Sequence, residues 1–247
     1  MLTKIALLVI CFMGAINALP QDKIVGGQFA EAHQFPYQVA LFYRNSFRCG
    51  GSVIDSQWVL TAAHCILEGD QQVTPSKLEV LVGNSDLNSG VKKFAVSNTF
   101  AHELYGNFEN DIALIKIKKQ FTFDETVQKI QLYTEELEES TTVIISGYGR
   151  IGTNQAASEQ LKYNTMFVVS RKDCSSETGL NQNGLICLNN EPNNGACNGD
   201  SGGPAVYEGQ LVGVANFVLS ECGTRHPDGY AKVASYVDWI EQTIADN

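Results

Sequence analysis

The sequence predicts an all-β fold of the sandwich or barrel type. Short segments rich in β-branched and aromatic residues recur at fairly regular intervals from residue 35 onward, separated by clusters of Gly, Asn, Asp and Ser. The 247 residues suffice for one large domain or two small ones with a substantial core. With 44% apolar and 18% charged residues, the chain is neither disordered nor collagen-like nor a coiled coil.

The predicted strands follow the apolar segments in chain order. They cover residues 35–43, 52–60, 78–82, 111–117, 142–146, 166–169 and 205–217. Glu208-Gly209 interrupts the last segment and predicts a hairpin turn there. The one helix that the sequence predicts is C-terminal, because Val237, Ile240 and Ile244 are spaced to share one face.

The chain is acidic overall. It has 27 Asp and Glu against 17 Lys and Arg, a formal net charge of −10, so its field repels phosphate backbones and anionic membranes. We therefore expect neither a nucleic acid nor a membrane as a partner. A polar, acidic stretch at residues 134–140 predicts a boundary between two halves near residues 130–140.

The N-terminus is typical of a secretory signal peptide. An apolar run over residues 5–16 follows Lys4 and ends at Asn17-Ala18, where a small residue suits signal peptidase. A membrane anchor is the alternative, but the run is well short of the roughly 20 residues that cross a bilayer. Residues 1–18 are therefore predicted to be a signal peptide, and the protein is predicted to be secreted and extracellular.

Six cysteines remain once the signal peptide, with Cys11, is removed. An even number in a secreted chain predicts disulfide bonds. A zinc site is the weaker alternative, because the sequence lacks C-x₂-C and H-x₃-H spacings. Six cysteines allow 15 pairings, and the sequence alone does not choose among them. The six are Cys49, Cys65, Cys174, Cys187, Cys197 and Cys222.

Three short motifs, far apart in the sequence, carry the residues of nucleophilic catalysis. A serine hydroxyl is a poor nucleophile until a base takes its proton, and a buried carboxylate orients that base best. His64, Asp111 and Ser201 supply the base, the carboxylate and the nucleophile. The N–H groups of Gly199 and Ser201 are expected to form an oxyanion hole. The motifs are Thr61-Ala62-Ala63-His64-Cys65, Asp111-Ile112-Ala113-Leu114 and Gly199-Asp200-Ser201-Gly202-Gly203-Pro204.

These motifs resemble those of the trypsin/chymotrypsin family of secreted serine endopeptidases. The resemblance runs from Ile24-Val25-Gly26-Gly27, which matches the family's mature N-terminus, to the C-terminal helix. It implies a protease domain over residues 24–247, built of two packed six-stranded antiparallel β-barrels with the active site between them. It also implies the pairs Cys49–Cys65, Cys174–Cys187 and Cys197–Cys222, a sparse set that resembles arthropod digestive members.

The resemblance further implies peptide hydrolysis through an acyl-enzyme, without a metal or another cofactor. Activity is expected to rise through about pH 6.5, since neutral His64 is the working base. Lys23 directly precedes Ile24, so cleavage after Lys23 would release a propeptide, residues 19–23, and free an ammonium on Ile24 that pairs with Asp200. The chain is thus expected to be a zymogen and a monomeric, digestive enzyme. Its expected partners are protein or peptide substrates, an activating protease and protein protease inhibitors.

The specificity pocket departs from the trypsin pattern. Gly195 stands where trypsin-like members carry the aspartate that binds Lys or Arg, and Asp228 aligns with the opposite wall of that pocket. Asn216, Phe217 and Val218 match the family's Ser-Trp-Gly, which pairs with the substrate backbone, and Val218 is expected to narrow the entrance.

The pairing of Gly195 with Asp228 resembles the broad-specificity, collagenolytic proteases of crustaceans and some fly larvae. Chymotrypsin-like cleavage after Leu, Phe or Tyr is the first expectation, and broad collagenolytic or elastase-like cleavage are the alternatives. A further interpretation pairs Asp228 internally with Arg225, without a role in recognition. Residues 83–91 offer Asp86 as their only carboxylate, so no calcium site is expected there.

Two functions from other classes compete with proteolysis. A catalytically silent homologue could act as a protein-binding module, but His64, Asp111 and Ser201 are all intact. A secreted structural or adhesive β protein would also use disulfide bonds and an acidic surface. That interpretation leaves the motif around Ser201 and the junction between Lys23 and Ile24 unexplained.

Overall fold

The computed structural model describes residues 24–69, 71–180, 183–189 and 191–247. The predicted signal peptide and propeptide, residues 1–23, lie outside the described residues. No helix in the described ranges is long and apolar enough to span a bilayer.

The described chain consists mainly of short strands. In chain order they are β1 (Gln28–Phe29), β2 (Gln38–Tyr43), β3 (Ser46–Asp55), β4 (Trp58–Thr61), β5 (Leu67–Glu68), β6 (Gln71–Gln72), β7 (Leu78–Val82), β8 (Lys92–Ala101), β9 (Ala113–Ile117), β10 (Gln131–Leu132), β11 (Thr142–Gly147), β12 (Lys162–Val168), β13 (Leu185–Asn189), β14 (Pro204–Tyr207), β15 (Gln210–Phe217) and β16 (Asp228–Lys232). The helices are α1 (Arg171–Thr178) and α2 (Val237–Asp246), and 3₁₀ turns span Ala63–Ile66, Pro75–Lys77 and Val233–Ser235.

The first barrel closes in the strand order β2-β3-β4-β9-β8-β7, with every neighbouring pair antiparallel. Closure leaves no free strand edge, and the inward side of each strand fills the interior. Val39, Leu60 and Leu114 are among the aliphatic side chains with no exposed surface in this core. Ile240 of α2 packs against the same core.

The second barrel follows the order β12-β11-β14-β15-β16-β13 and closes where β13 pairs with β12. β1 adds to β12, and β10 runs parallel to β15. The core of this barrel contains Val143, Met166, Leu188 and Tyr230, each nearly or fully buried. The predicted all-β fold of two six-stranded antiparallel barrels with a C-terminal helix is therefore confirmed.

Several predicted elements need correction. The strand predicted over 52–60 is two strands separated by a turn at Ser56-Gln57. Strands β8, β13 and β16 were not predicted. β8 and β16 mix polar residues or glycine into their apolar pattern, whereas β13 is a short apolar run that the prediction did not include. Helix α1 was also not predicted, since Cys174 is its only buried residue. The hairpin turn at Glu208-Gly209 is confirmed: Tyr207 pairs with Gln210, and both turn residues have positive φ.

Candidate active site

His64 and Asp111 are brought together by the pairing of β4 with β9. Thr61 at the end of β4 lies opposite Ala113 at the start of β9, so the 3₁₀ turn after β4 faces the residues that precede β9. His64 Nδ1 lies 2.6 Å from Asp111 Oδ2, and the backbone N–H of His64 donates to Asp111 Oδ1 over 3.0 Å. Asp111 is 1% exposed, so the predicted burial of this carboxylate against a partner is observed.

The Ser201 loop of the second barrel contacts the part of the first barrel that carries His64. The Gly50 N–H of β3 donates to the Ser201 carbonyl oxygen over 2.8 Å. The Cys65 sulfur lies 3.6 Å from that same oxygen and 3.8 Å from His64 Nε2. The Ser201 loop and the His64 ring thus both lie next to the Cys65 sulfur of the Cys49–Cys65 disulfide bond, at the junction of the two barrels.

Gly202 is required for this close approach. Its φ is +76°, and a Cβ added there would lie 2.1 Å from Thr61 Oγ1 and 2.7 Å from the Gly50 carbonyl oxygen. Any side chain at this position would therefore push the Ser201 loop away from the first barrel.

The Asp200 carboxylate is buried beside Ser201 and accepts two backbone N–H groups. Oδ1 accepts the Gly149 N–H over 2.8 Å, and Oδ2 accepts the Cys197 N–H over 3.0 Å. Burial nevertheless raises the pKa of Asp200 to about 6. Gly199 has φ +98°, and within the described residues the N–H groups of Gly199 and Ser201 make no hydrogen bond. Both N–H groups are therefore free to receive a substrate oxygen.

A cavity of about 210 Å³ opens beside Ser201. Its lining includes Ala196, Asn216, Phe217, Val218, Gly229 and Tyr230. A Cβ added at Gly229 would lie 2.4 Å from the Phe217 ring, so that ring lies directly on Gly229. The structure thus places the three residues matched to Ser-Trp-Gly along one wall of the cavity.

Asp228 lies behind the cavity and faces Gly195. Asp228 Oδ2 accepts the Ala196 N–H over 2.7 Å, and a Cβ added at Gly195 would lie 2.7 Å from the same oxygen. Asp228 is 6% exposed; burial, with the charge of Asp200 in addition, raises its pKa to about 7. No ion pair joins Asp228 to the exposed Arg225 among the residues that the structure describes.

The segment from Ile24 docks against this same region. Ile24 is 1% exposed in the core of the second barrel, and the Gly195 N–H donates to the Val25 carbonyl oxygen over 3.1 Å. A Cβ added at Gly223 would meet Val25 at 2.3 Å. Lys23, the residue predicted to be cleaved, lies outside the described residues.

The structure forms three disulfide bonds among the described residues. They are Cys49–Cys65, Cys174–Cys187 and Cys197–Cys222, the pairs that the resemblance implied. In the described ranges, the atoms of Cys49, His64 and Cys65 are close enough to hold a metal ion. Both cysteines are committed to a disulfide bond, so neither offers a thiolate and the group does not fit a metal site.

Comparison with known proteins assigns the fold and the motifs to one family. The model of the family described as Trypsin matches residues 24–240. The chain belongs to the trypsin family. It is 46% identical to serine protease SP24D of Anopheles gambiae over 222 residues, covering 90% of this chain and 81% of that relative.

Two trypsins are similar over nearly the whole chain. Cationic trypsin-3 of Rattus norvegicus is 37% identical over 256 residues, and trypsin-1 of Salmo salar is 34% identical over 248 residues. Each alignment covers 98% of this chain and 99% of the relative. Among solved structures, neuropsin, described as a serine protease of mouse brain, has a TM-score of 0.81 and 28% identity, covering 88% of this chain and 98% of its own.

One residue at the cleft of this trypsin-family chain was not predicted from the sequence. Phe108 is 57% exposed; its ring packs on Phe217 with centroids 5.1 Å apart, and its carbonyl oxygen accepts the Asn216 side-chain N–H over 2.9 Å. Phe108 belongs to an irregular loop with no motif of its own, so no pattern in the sequence indicates that it reaches the other barrel.

Proposed function

We propose that the chain is a secreted serine endopeptidase that works through Ser201, His64 and Asp111. The observation that carries the proposal is the buried Asp111 carboxylate, 2.6 Å from His64 Nδ1. His64 Nε2 lies 3.8 Å from the Cys65 sulfur, which itself lies 3.6 Å from the Ser201 carbonyl oxygen. A carboxylate in this position keeps the proton on Nδ1, which leaves Nε2 free to accept the serine proton.

The proposed reaction needs only groups of this chain and water. Ser201 Oγ attacks the peptide carbonyl carbon while His64 Nε2 takes the hydroxyl proton, and the same proton then passes to the leaving amine. Water hydrolyses the acyl-enzyme by the same route in reverse order. The N–H groups of Gly199 and Ser201 stabilise the tetrahedral oxyanion, and each such donor is worth about 10²–10³ in rate.

Activation by cleavage after Lys23 is part of the proposal. Asp200 is buried, it accepts two N–H groups and forms no ion pair among the described residues, and burial raises its pKa to about 6. Removal of residues 19–23 would free an ammonium on Ile24, which already lies in the second core. Pairing of this ammonium with Asp200 would offset the desolvation of the carboxylate and fix the oxyanion loop.

For the residue before the scissile bond we propose large apolar side chains, with basic ones as weaker substrates. The apolar wall of Phe217 and Val218 supports the first preference, and Asp228 behind the cavity supports the second. The side chains of Phe217 and Val218 both line the cavity, and we propose that they narrow its entrance. The Ala196 N–H occupies one oxygen of the carboxylate, and burial raises the pKa of Asp228 to about 7, so at neutral pH only part of the population carries the charge that would bind Lys or Arg.

The extracellular location is supported by three disulfide bonds, since such bonds persist outside the reducing cytosol. A digestive role, an activating protease and protein inhibitors complete the proposal and rest on the resemblance to arthropod digestive members. The family acts on protein substrates, so proteins and peptides are the partners to test first.

The experiment is a cleavage profile of the activated protein. The secreted chain is cut after Lys23 and incubated with peptides that vary at the residue before the scissile bond, beside Ser201→Ala and Asp228→Gly. We expect cleavage after Leu, Phe and Tyr, weaker cleavage after Arg that Asp228→Gly abolishes, and no cleavage by Ser201→Ala. Cleavage after Lys and Arg alone would overturn the specificity, and no cleavage at all would favour the silent homologue.

A further inference from the structure

Arg48, a residue outside every motif of the active site, is anchored beneath the turn that carries His64. It lies on β3 beside Cys49, and its side chain is half-buried. Arg48 Nε donates to the Cys65 carbonyl oxygen and Nη2 donates to the Leu67 carbonyl oxygen, each over 2.6 Å. Nη2 also approaches the His64 carbonyl oxygen at 3.5 Å.

These carbonyl groups lie at the end of the 3₁₀ turn Ala63–Ile66, where helical bonding leaves acceptors without backbone partners. The Ile66 carbonyl oxygen accepts the Val73 N–H over 2.9 Å, whereas the carbonyl oxygens of Cys65 and Leu67 on either side of it accept from the guanidinium. A guanidinium presents several N–H donors in a rigid plane, and its bonds are charge-assisted. Few other side chains could hold two carbonyl oxygens at once.

His64 is consequently fixed from both sides of its backbone. Asp111 accepts its N–H on one side, and Arg48 holds the following carbonyl groups on the other. We propose that Arg48 is a positioning residue that sets the place of the His64 ring between Asp111 and Ser201. The inference rests on the proposed serine protease function and adds to it a residue whose guanidinium bonds the backbone of the turn and not the His64 ring.

Arg44 offers a matched control. Its guanidinium lies 4.8 Å from the centre of the Tyr43 ring, and that of Arg48 lies 5.3 Å from the same ring. Arg44 is exposed, and within the described residues its guanidinium donates no hydrogen bond. Replacing either arginine by Met removes one positive charge beside Tyr43, but only Arg48→Met releases the His64 turn.

The test compares kcat and KM of activated wild type, Arg48→Met, Arg48→Lys and Arg44→Met on one peptide substrate. Because a misplacement of about 1 Å can cost about 100-fold in rate, we expect Arg48→Met to lower kcat by about 10- to 100-fold with KM within about twofold. The kcat of Arg48→Lys should fall between those of wild type and Arg48→Met, and the kcat of Arg44→Met should equal that of wild type. In Arg48→Ala, added guanidinium ions below unfolding concentrations should restore part of kcat.

The outcomes separate the two claims. A wild type that hydrolyses substrate, together with Arg48→Met at full kcat, overturns the inference and leaves the protease function intact. An inactive wild type whose Ser201 resists fluorophosphonate overturns the function itself. If Arg48→Met does not fold, the kinetics of Arg48→Lys test the positioning role instead. A kcat equal to that of wild type overturns this role, and a reduced kcat with unchanged KM supports it.

Discussion

At the scale of single residues, Asp228 is the side chain whose charge most directly affects the pocket. It is buried, it accepts one backbone N–H, and its pKa is raised to about 7. Below this pH the carboxyl group is neutral and adds no charge behind the cavity; above it the carboxylate can attract a cation. The same pocket therefore changes its character near neutral pH.

We expect the ratio of kcat/KM for an Arg substrate to kcat/KM for a Leu substrate to rise as pH increases from 5 to 9, with its midpoint near 7. The ratio cancels every pH dependence of catalysis that the two substrates share. In Asp228→Asn the ratio should be low and independent of pH. A wild-type ratio that stays flat over this range would contradict a role for Asp228 in recognition.

Sequence patterns indicated the proposed catalytic residues better than the residues that contact them from other parts of the fold. His64, Asp111 and Ser201 lie in short motifs whose chemistry can be recognised in the sequence, and the structure brings His64 to Asp111 and the Ser201 loop. Phe108 and Arg48 carry no such signal. Their contacts arise because two loops and a strand approach one another, and this approach depends on the closure of the barrels.

At the scale of elements, Gly202 determines how closely the Ser201 loop packs against the first barrel. Gly202→Ala should lower kcat/KM by more than about 100-fold, because the added Cβ would overlap Thr61 Oγ1 and push Ser201 out of place. Gly209→Ala is the control: its φ is +75°, close to the +76° of Gly202, but a Cβ there meets nothing within 4 Å. Steady-state kinetics of both variants separates backbone strain from steric displacement, and equal losses would contradict the steric explanation.

Helix α1 shows why one element could not be predicted from hydrophobic periodicity. Seven of its eight residues are not buried, so no apolar stripe marks it. Its ends are instead defined by capping: Ser170 Oγ accepts the Asp173 N–H over 3.1 Å, and Gly179 closes the helix with φ +72°. Strands with runs of apolar residues, such as β2 and β4, were easier to predict than β8 and β16, whose apolar residues are interrupted by Lys, Asn, Gly or Asp.

Ser170→Ala should lower the free energy of unfolding by about 1 kcal/mol, because it removes the N-cap of α1. The catalytic rate should stay unchanged, since α1 lies outside the cleft. Ser176→Ala, at an exposed position within the same helix, should leave stability equal or slightly higher. Urea unfolding of the three proteins measures the difference, and equal midpoints for Ser170→Ala and wild type would contradict the capping interpretation.

At the scale of the whole molecule, two buried carboxyl groups link folding to pH. The pKa values of Asp200 and Asp228 are raised to about 6 and about 7 from an ordinary value of 3.8. Between pH about 4 and these raised pKa values, the two carboxyl groups keep their protons in the folded protein but have lost them in the unfolded chain. The stabilisation from these protons is complete below pH about 4 and is lost as pH rises through 6 and 7.

Asp228→Asn should therefore gain stability relative to the wild type as pH rises from 4 to 8. One pKa unit corresponds to about 1.4 kcal/mol, so the relative gain should reach a few kcal/mol. Urea unfolding of the uncleaved proteins at several pH values gives this difference directly, because the other carboxylates are common to both. A difference that does not change with pH would contradict the burial of a titrating Asp228.

Activation should change the contribution of Asp200. An ammonium on Ile24 would lower the Asp200 pKa toward its ordinary range, so the cleaved protein should lose less stability between pH 5 and 8 than the uncleaved one. Parallel unfolding of the two forms checks this expectation. Identical pH profiles would show that Asp200 does not meet the new N-terminus.

The most direct measurement of the central claim is covalent labelling by a fluorophosphonate, read by mass spectrometry of the intact protein and of its peptides. After cleavage at Lys23, the account predicts one adduct per chain on Ser201, with little labelling of the uncleaved form and none of Ser201→Ala. A folded, cleaved protein that remains unlabelled, or that is labelled equally in Ser201→Ala, would contradict the proposed nucleophile.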